Sequence, residues 1–154
     1  MSDSINESVH LFGTPTAPYS AASAAGVETD RSSSHILVAF CVNPSDGTQL
    51  VLCDQANHRL QIIRPADGTF VRSVALTMKD PWGVCPGPVA GTVAVSYHGS
   101  HAVQVLRVSD GAVLQTFGSY GREPNQLQHP WGLSLVGNVL VVCDFGNHRV
   151  QVIS

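Results

Sequence analysis

The chain has 154 residues, only 12% of them charged, with 8 Lys plus Arg against 11 Asp plus Glu and a formal net charge of −3. This length holds one modest core, and a weakly acidic balance without a basic cluster disfavours a general nucleic-acid surface. No apolar run approaches the roughly 20 residues of a membrane span.

Residues 1–34 are rich in Ser, Ala, Thr, Gly and Pro and lack the apolar core of a secretory signal. They read as a flexible leader. One alternative lies within them, because Val9-His10-Leu11-Phe12-Gly13 matches Leu114-Gln115-Thr116-Phe117-Gly118 in pattern and is a candidate outer strand.

Beyond the leader, short runs of Val, Leu and Ile alternate with Gly, Pro, Asn and Asp, and none holds a 3.6-residue period through three turns. Strands are expected at 36–42, 49–53, 59–64 and 70–74, with turns at Ser45-Asp46-Gly47 and Ala66-Asp67-Gly68. A second group is expected at 82–85, 92–97, 102–108 and 112–117, and a third at 131–135, 139–143 and 149–153. The groups share a motif. Asp54-Gln55-Ala56-Asn57-His58-Arg59 returns as Asp144-Phe145-Gly146-Asn147-His148-Arg149, and a weaker copy, Tyr97-His98-Gly99-Ser100-His101-Ala102, lies between. The histidines His58, His101 and His148 mark a period of about 45 residues, the length of a unit that stacks on its neighbours because it cannot bury its own apolar face. Four short antiparallel strands per period make a β-propeller blade. The expected fold is therefore all-β, about three such blades over residues 35–154, with repeats near 36–78, 79–126 and 127–154.

The motif followed by an apolar-Gln-apolar strand resembles the NHL repeat, which builds propellers that are commonly six-bladed. Pro81-Trp82-Gly83-Val84 and Pro130-Trp131-Gly132-Leu133 match the start of such a repeat's innermost strand, and Thr116-Phe117-Gly118 the end of an outer one. The middle copy departs by lacking the Asp and Arg, and the first lacks a Pro-x-Gly opening. The resemblance implies a protein-interaction or scaffold module. Relatives of this type often sit behind a RING domain and supply substrate recognition to a ubiquitin ligase. No RING pattern occurs here, so any ligase activity would come from another polypeptide. An RNA-binding propeller is the alternative. A metal-dependent propeller lyase is the third reading, and the converging His ligands it needs are not visible, so no enzyme activity and no cofactor are expected.

Within the motif, Asp54 with Arg59 and Asp144 with Arg149 are expected to pair across the turn, while Asn57 and Asn147 tolerate the left-handed backbone a tight turn requires. The middle copy loses both charges together, as Tyr97 and Ala102, which is what a partly buried pair predicts. His58, His101 and His148 are expected to pack and bond the neighbouring blade, since no second ligand keeps a fixed spacing beside them. Cys41, Cys53, Cys85 and Cys143 form no C-x-x-C pattern and are expected to be small buried apolar residues, in keeping with a reduced, cytoplasmic setting.

Trp82 and Trp131 open innermost strands near a propeller's channel, as binding anchors or as wedges between blades. The long polar loop from Tyr120 to His129, with Arg122 inside it, is the place to select a partner. The partner is expected to be a protein, with nucleic acid disfavoured and no membrane. Three blades do not close a ring of four to eight. A homodimer completing six blades, or a longer chain of which this is a piece, would meet that need.

Overall fold

A computed structural model of the chain describes residues 37–154. The expected strand at 9–13 and the leader lie outside that range. The described residues form antiparallel sheets in chain order: β1 (Leu37–Val42), β2 (Leu50–Asp54), β3 (Arg59–Ile63) and β4 (Phe70–Ala75); then β5 (Pro81–Pro86), β6 (Thr92–Tyr97), β7 (Ala102–Arg107) and β8 (Val113–Phe117); then β9 (Pro130–Val136), β10 (Val139–Asp144) and β11 (Arg149–Ile153). Neighbours in sequence are neighbours in each sheet, so the first two sheets have four strands and the third has three. Every strand expected between 36 and 154 is present within a residue or two. The all-β, propeller-blade reading of the fold is borne out.

The turns follow from their residues. Gly68 and Gly111 adopt φ of 72° and 75° between the third and fourth strands of the first two sheets, a conformation Gly enters without steric cost. Just before them Asp67 and Asp110 accept the backbone N–H groups of Thr69 (3.0 Å) and Ala112 (3.1 Å), the local bonding that makes Asp a turn residue.

The sheets stack with β5 between β1 and β9. Side chains alternate across each strand, so one sheet serves two interfaces. Val93, Val95 and Tyr97 of β6 meet Val51, Cys53, Leu60 and Ile62 of the first sheet, whereas Ala94, Val103 and Val105 meet Leu140, Val142 and Ile153 of the third. Burial on both faces explains why β6 is apolar almost throughout and wholly buried. β11, covered on one face, alternates between shielded and exposed residues instead.

Two cysteines correct the expectation of burial. Cys53 is buried under the second sheet, but its counterpart Cys143 is exposed and Cys41 only partly covered. Cys143 points from the outer face of the third sheet, on which no described sheet packs.

Candidate functional site

Register brings three innermost strands to one end of the molecule. Leu37 pairs with Asp54, Pro81 with Tyr97 and Pro130 with Asp144, so each innermost strand begins beside the motif turn of its own sheet. Trp82 and Trp131 therefore stand among the turn residues.

There they join a continuous ridge of rings. Trp82 and Trp131 stack across the joint between blades with centroids 5.7 Å apart and planes 3° from parallel. Phe145 stacks on Trp131 at 4.3 Å. On the other side His98 leans on Trp82 at 5.3 Å and on His129 at 4.4 Å. His101 follows at 4.6 Å from His129, and Tyr120 closes the row 4.9 Å from His101. Phe145, Tyr120 and Trp131 are exposed, so the Trp pair both fills the joint and presents surface. Trp82, Trp131, Tyr120 and His129 come together in this ridge. Arg122 does not: it lies on the exposed part of the loop.

His98 and Phe145 were not foreseen as site residues. They occupy equivalent positions, directly after Tyr97 and Asp144, and Gln55 holds the same place after Asp54. Gln55 also reaches forward, donating to Asp80 before the next blade at 3.1 Å. A variable position inside an otherwise regular motif was the available signal.

The backbone under the ridge is held by small residues. The Gly83 N–H donates to Ser96 Oγ at 2.9 Å, and the Ser96 hydroxyl donates in turn to the carbonyl of Trp131. A Cβ on Gly83 would lie 2.6 Å from that carbonyl oxygen. Its absence lets β5 and β9 approach.

The histidines of the motif have a definite job. His58, His101 and His148, and not the Asn before them, take the left-handed conformation, with φ of 52°, 54° and 52°. This corrects the expectation for Asn57 and Asn147, whose amides are used elsewhere. The Nδ1 atoms of His58 and His101 accept the backbone N–H of Asp80 and of His129, each at 3.1 Å. Those two residues immediately precede Pro81-Trp82 and Pro130-Trp131, so His58 and His101 each bond the start of the next blade.

The Asp–Arg pair proves to be the centre of a larger network. Arg149 Nε donates to Asp144 at 2.8 Å, as Arg59 Nε does to Asp54 at 2.9 Å. Asn147 and Gln151 also donate to Asp144 (2.8 and 3.1 Å), and Asn57 and Gln61 to Asp54 (2.9 and 2.7 Å). The Gln of the apolar-Gln-apolar strand makes this bond in the first and third copies, whereas Gln104 of the middle copy accepts from Thr77 and donates to Thr116. Burial alone would push the Asp144 carboxyl up, but the Gln128 N–H and the Asn147, Arg149 and Gln151 side chains outweigh it and hold the group below its ordinary range. In the middle copy Tyr97 fills the equivalent space, fully buried, with its hydroxyl unpartnered among the described residues.

The same network grips the long loop. Asn147 donates to the Gly121 carbonyl at 2.8 Å, and Arg149 to the carbonyls of Arg122 (2.7 Å), Glu123 (3.1 Å) and Gln126 (2.8 Å). Leu127, fully buried, plugs the loop from beneath. The motif thus fixes the backbone of residues 121–128 while leaving the Arg122 and Glu123 side chains in solvent. Among the described residues no group of three or more His, Cys, Asp or Glu has the geometry of a metal site; the ridge histidines meet ring to ring, tilted or edge-on.

Residues 127–153 match the family model of the NHL repeat. No curated protein sequence matches the chain. Among solved structures, virginiamycin B lyase from Staphylococcus aureus, a catalytically inactive H270A form with quinupristin, is similar at TM-score 0.63 and 15% identity, over 80% of this chain and 40% of that one. A streptogramin B lyase gives 0.56 and 15% over 75% and 39%. Kuenenia stuttgartiensis hydrazine synthase gives 0.54 and 15% over 80% and 37%. The chain spans about two fifths of the length of these neighbours, and the likeness is one of fold. Residues 127–153 thus carry an NHL repeat, the hydrogen-bond network of its motif recurs at Asp54, and the fold is of β-propeller type.

Proposed function

We propose that this is a protein-binding module whose binding face is the aromatic ridge together with the loop at 119–129. The observation that carries the reading is the ridge itself: a run of stacked rings, partly exposed, on a backbone fixed by hydrogen bonds. Large aromatic side chains held rigid supply contact area at low entropic cost, and such residues dominate binding energy at protein interfaces. The loop adds exposed polar groups at the rim, where specificity is set. Recognition of substrates for a ubiquitin ligase contributed by another polypeptide, in a cytoplasmic setting, is the role this face suits within its family.

The RNA-binding alternative has less support. Arg59 and Arg149 serve Asp54 and Asp144, Arg64 and Arg107 pair with Asp67 and Asp110, and Arg72 donates to the Val108 carbonyl. Among the described residues, the only Lys or Arg side chains left without an ion pair or hydrogen bond are those of Lys79 and Arg122. Two phosphate contacts to a single strand give a log K versus log salt slope of only about −1.4. The lyase reading draws on the fold alone.

The test is affinity capture with the folded chain and with Trp131→Ala and Phe145→Ala, each checked by circular dichroism. Loss of a bound protein by about ten-fold or more from the Ala variants supports the face, as expected of an anchor worth more than about 1 kcal/mol. An unchanged set of partners overturns it.

A further inference from the structure

We propose that His101 is a positioning residue for the ridge, a latch that holds Trp131 in the stack only while its imidazole is neutral. The inference rests on reading the ridge as the binding face, and concerns how that face is kept assembled.

The argument begins with one hydrogen bond. His101 Nδ1 accepts the backbone N–H of His129 at 3.1 Å. An imidazole accepts at one nitrogen only when neutral; the imidazolium has two donors and no acceptor. A proton arriving on His101 must land on Nδ1 and convert this attraction into two opposed N–H groups. The residue released is not an ordinary one. His129 has a φ of 51° and directly precedes Pro130, where the proline ring restricts the backbone of the residue before it. That left-handed conformation is held from outside, and Trp131 is two residues along.

The groups around His101 do not offer a proton any compensation. His129 lies against its ring at 4.6 Å, Tyr120 at 4.9 Å, and His98 contacts His129 at 4.4 Å. His129 Nδ1 is itself buried without a hydrogen-bond partner among the described residues. No ion pair among the described residues includes His101. Burial first, and then the His129 charge, hold His101 below its ordinary value of 6.5. The folded latch therefore binds fewer protons than an unfolded histidine; its contribution is whole above pH 6.5 and is lost as pH falls through the lowered value.

The first copy of the latch is built differently. His58 Nδ1 accepts from the Asp80 N–H ahead of Pro81-Trp82, but the Asp80 carboxylate also stands 4.0 Å from that nitrogen. His101 has no such carboxylate beside its Nδ1 among the described residues, so the two copies of the bond differ in their surroundings.

Both tryptophans of the chain lie in the ridge, which makes the protein its own reporter. The experiment uses the full chain with Trp82→Phe, leaving Trp131 as the emitter, and follows acrylamide quenching from about pH 8 to 5 with circular dichroism as a fold check. The parent is expected to show quenching that rises by roughly two-fold or more across the histidine range, the scale on which losing one hydrogen bond shifts a local equilibrium. Adding His101→Asn keeps an acceptor near the Nδ1 position in a residue that tolerates positive φ, so protection is expected at every pH. Adding His101→Leu is expected to leave Trp131 quenched throughout. A His101→Asn chain that titrates like its parent overturns the latch, as does a folded His101→Leu chain protected at pH 8. No partner enters this measurement, so its failure and a failure of the Trp131→Ala capture experiment are separate results.

Discussion

Asp144 has no solvent exposure, and a carboxylate in that position is tolerable only because its donors are in place. Removing Arg149 strands the charge and also frees the carbonyls of Arg122, Glu123 and Gln126. Arg149→Ala should therefore cost about 3 kcal/mol, and the Asp144→Ala, Arg149→Ala double variant should cost clearly less than the two single changes added, measured by urea unfolding. A simply additive cycle would mean that the pair is not coupled. Because hydrogen bonding lowers the Asp144 carboxyl below its ordinary 3.8, its stabilisation is complete above that value and is lost as pH falls through the folded one. Tyr97 makes the opposite case. Its buried hydroxyl lacks a partner among the described residues, and burial raises the phenol's pKa. Tyr97→Phe keeps the shape and deletes the unsatisfied group, so it should raise the unfolding free energy by about 1 kcal/mol; a loss of stability would show that the hydroxyl matters to the fold.

At the level of strands, the decisive contact is between β5 and β9 on the ridge side. A side chain on Gly83 would collide with the Trp131 carbonyl at 2.6 Å and with Leu133 at 2.7 Å, whereas a Cβ on Gly132 would meet nothing nearer than Cys143 Sγ at 3.9 Å. Gly83→Ala is expected to lower the midpoint of thermal unfolding by several degrees and disturb Trp emission, at a cost of about 1–3 kcal/mol. Gly132→Ala should be near neutral. Equal effects would contradict this account of the joint. The strands themselves were legible because each carries its own signal, a short apolar run between residues that turn. Partners across the joint were not, since Arg149 reaches loop carbonyls more than twenty positions upstream and no periodic pattern records such a bond. The ridge was legible in part. Trp82 and Trp131 recur in register, but His98 and Phe145 differ from each other and gain meaning only when the fold sets them beside the tryptophans.

For the molecule as a whole, the third sheet poses a question of cover. Val150 and Val152 stand on β11 where Leu60 and Ile62 stand on β3; the first pair is 60% and 66% exposed, the second fully buried beneath the next sheet. Val136 is 60% exposed, and Phe40 and Val42 at the opposite end of the stack are 62% and 51% exposed. Faces of this composition are what the repeat buries wherever a neighbour is present. Covering a Val side chain contributes about 1.5–3 kcal/mol, so an apolar face of this kind favours association. If a second copy supplies the cover, light scattering should give twice the 16.3 kDa chain mass. Val152→Lys should then return it to a single chain, because a lysine at the centre of a sheet-to-sheet contact buries an unpaired charge. A monodisperse single chain for the unmodified protein would exclude the copy. The ridge gives an independent reading of the same event. Phe145 flanks this face and stacks on Trp131, so a neighbour seated there would shield Trp131. Dimerisation should therefore reduce quenching of Trp131 in the Trp82→Phe chain as protein concentration rises, and leave it unchanged in the Val152→Lys variant.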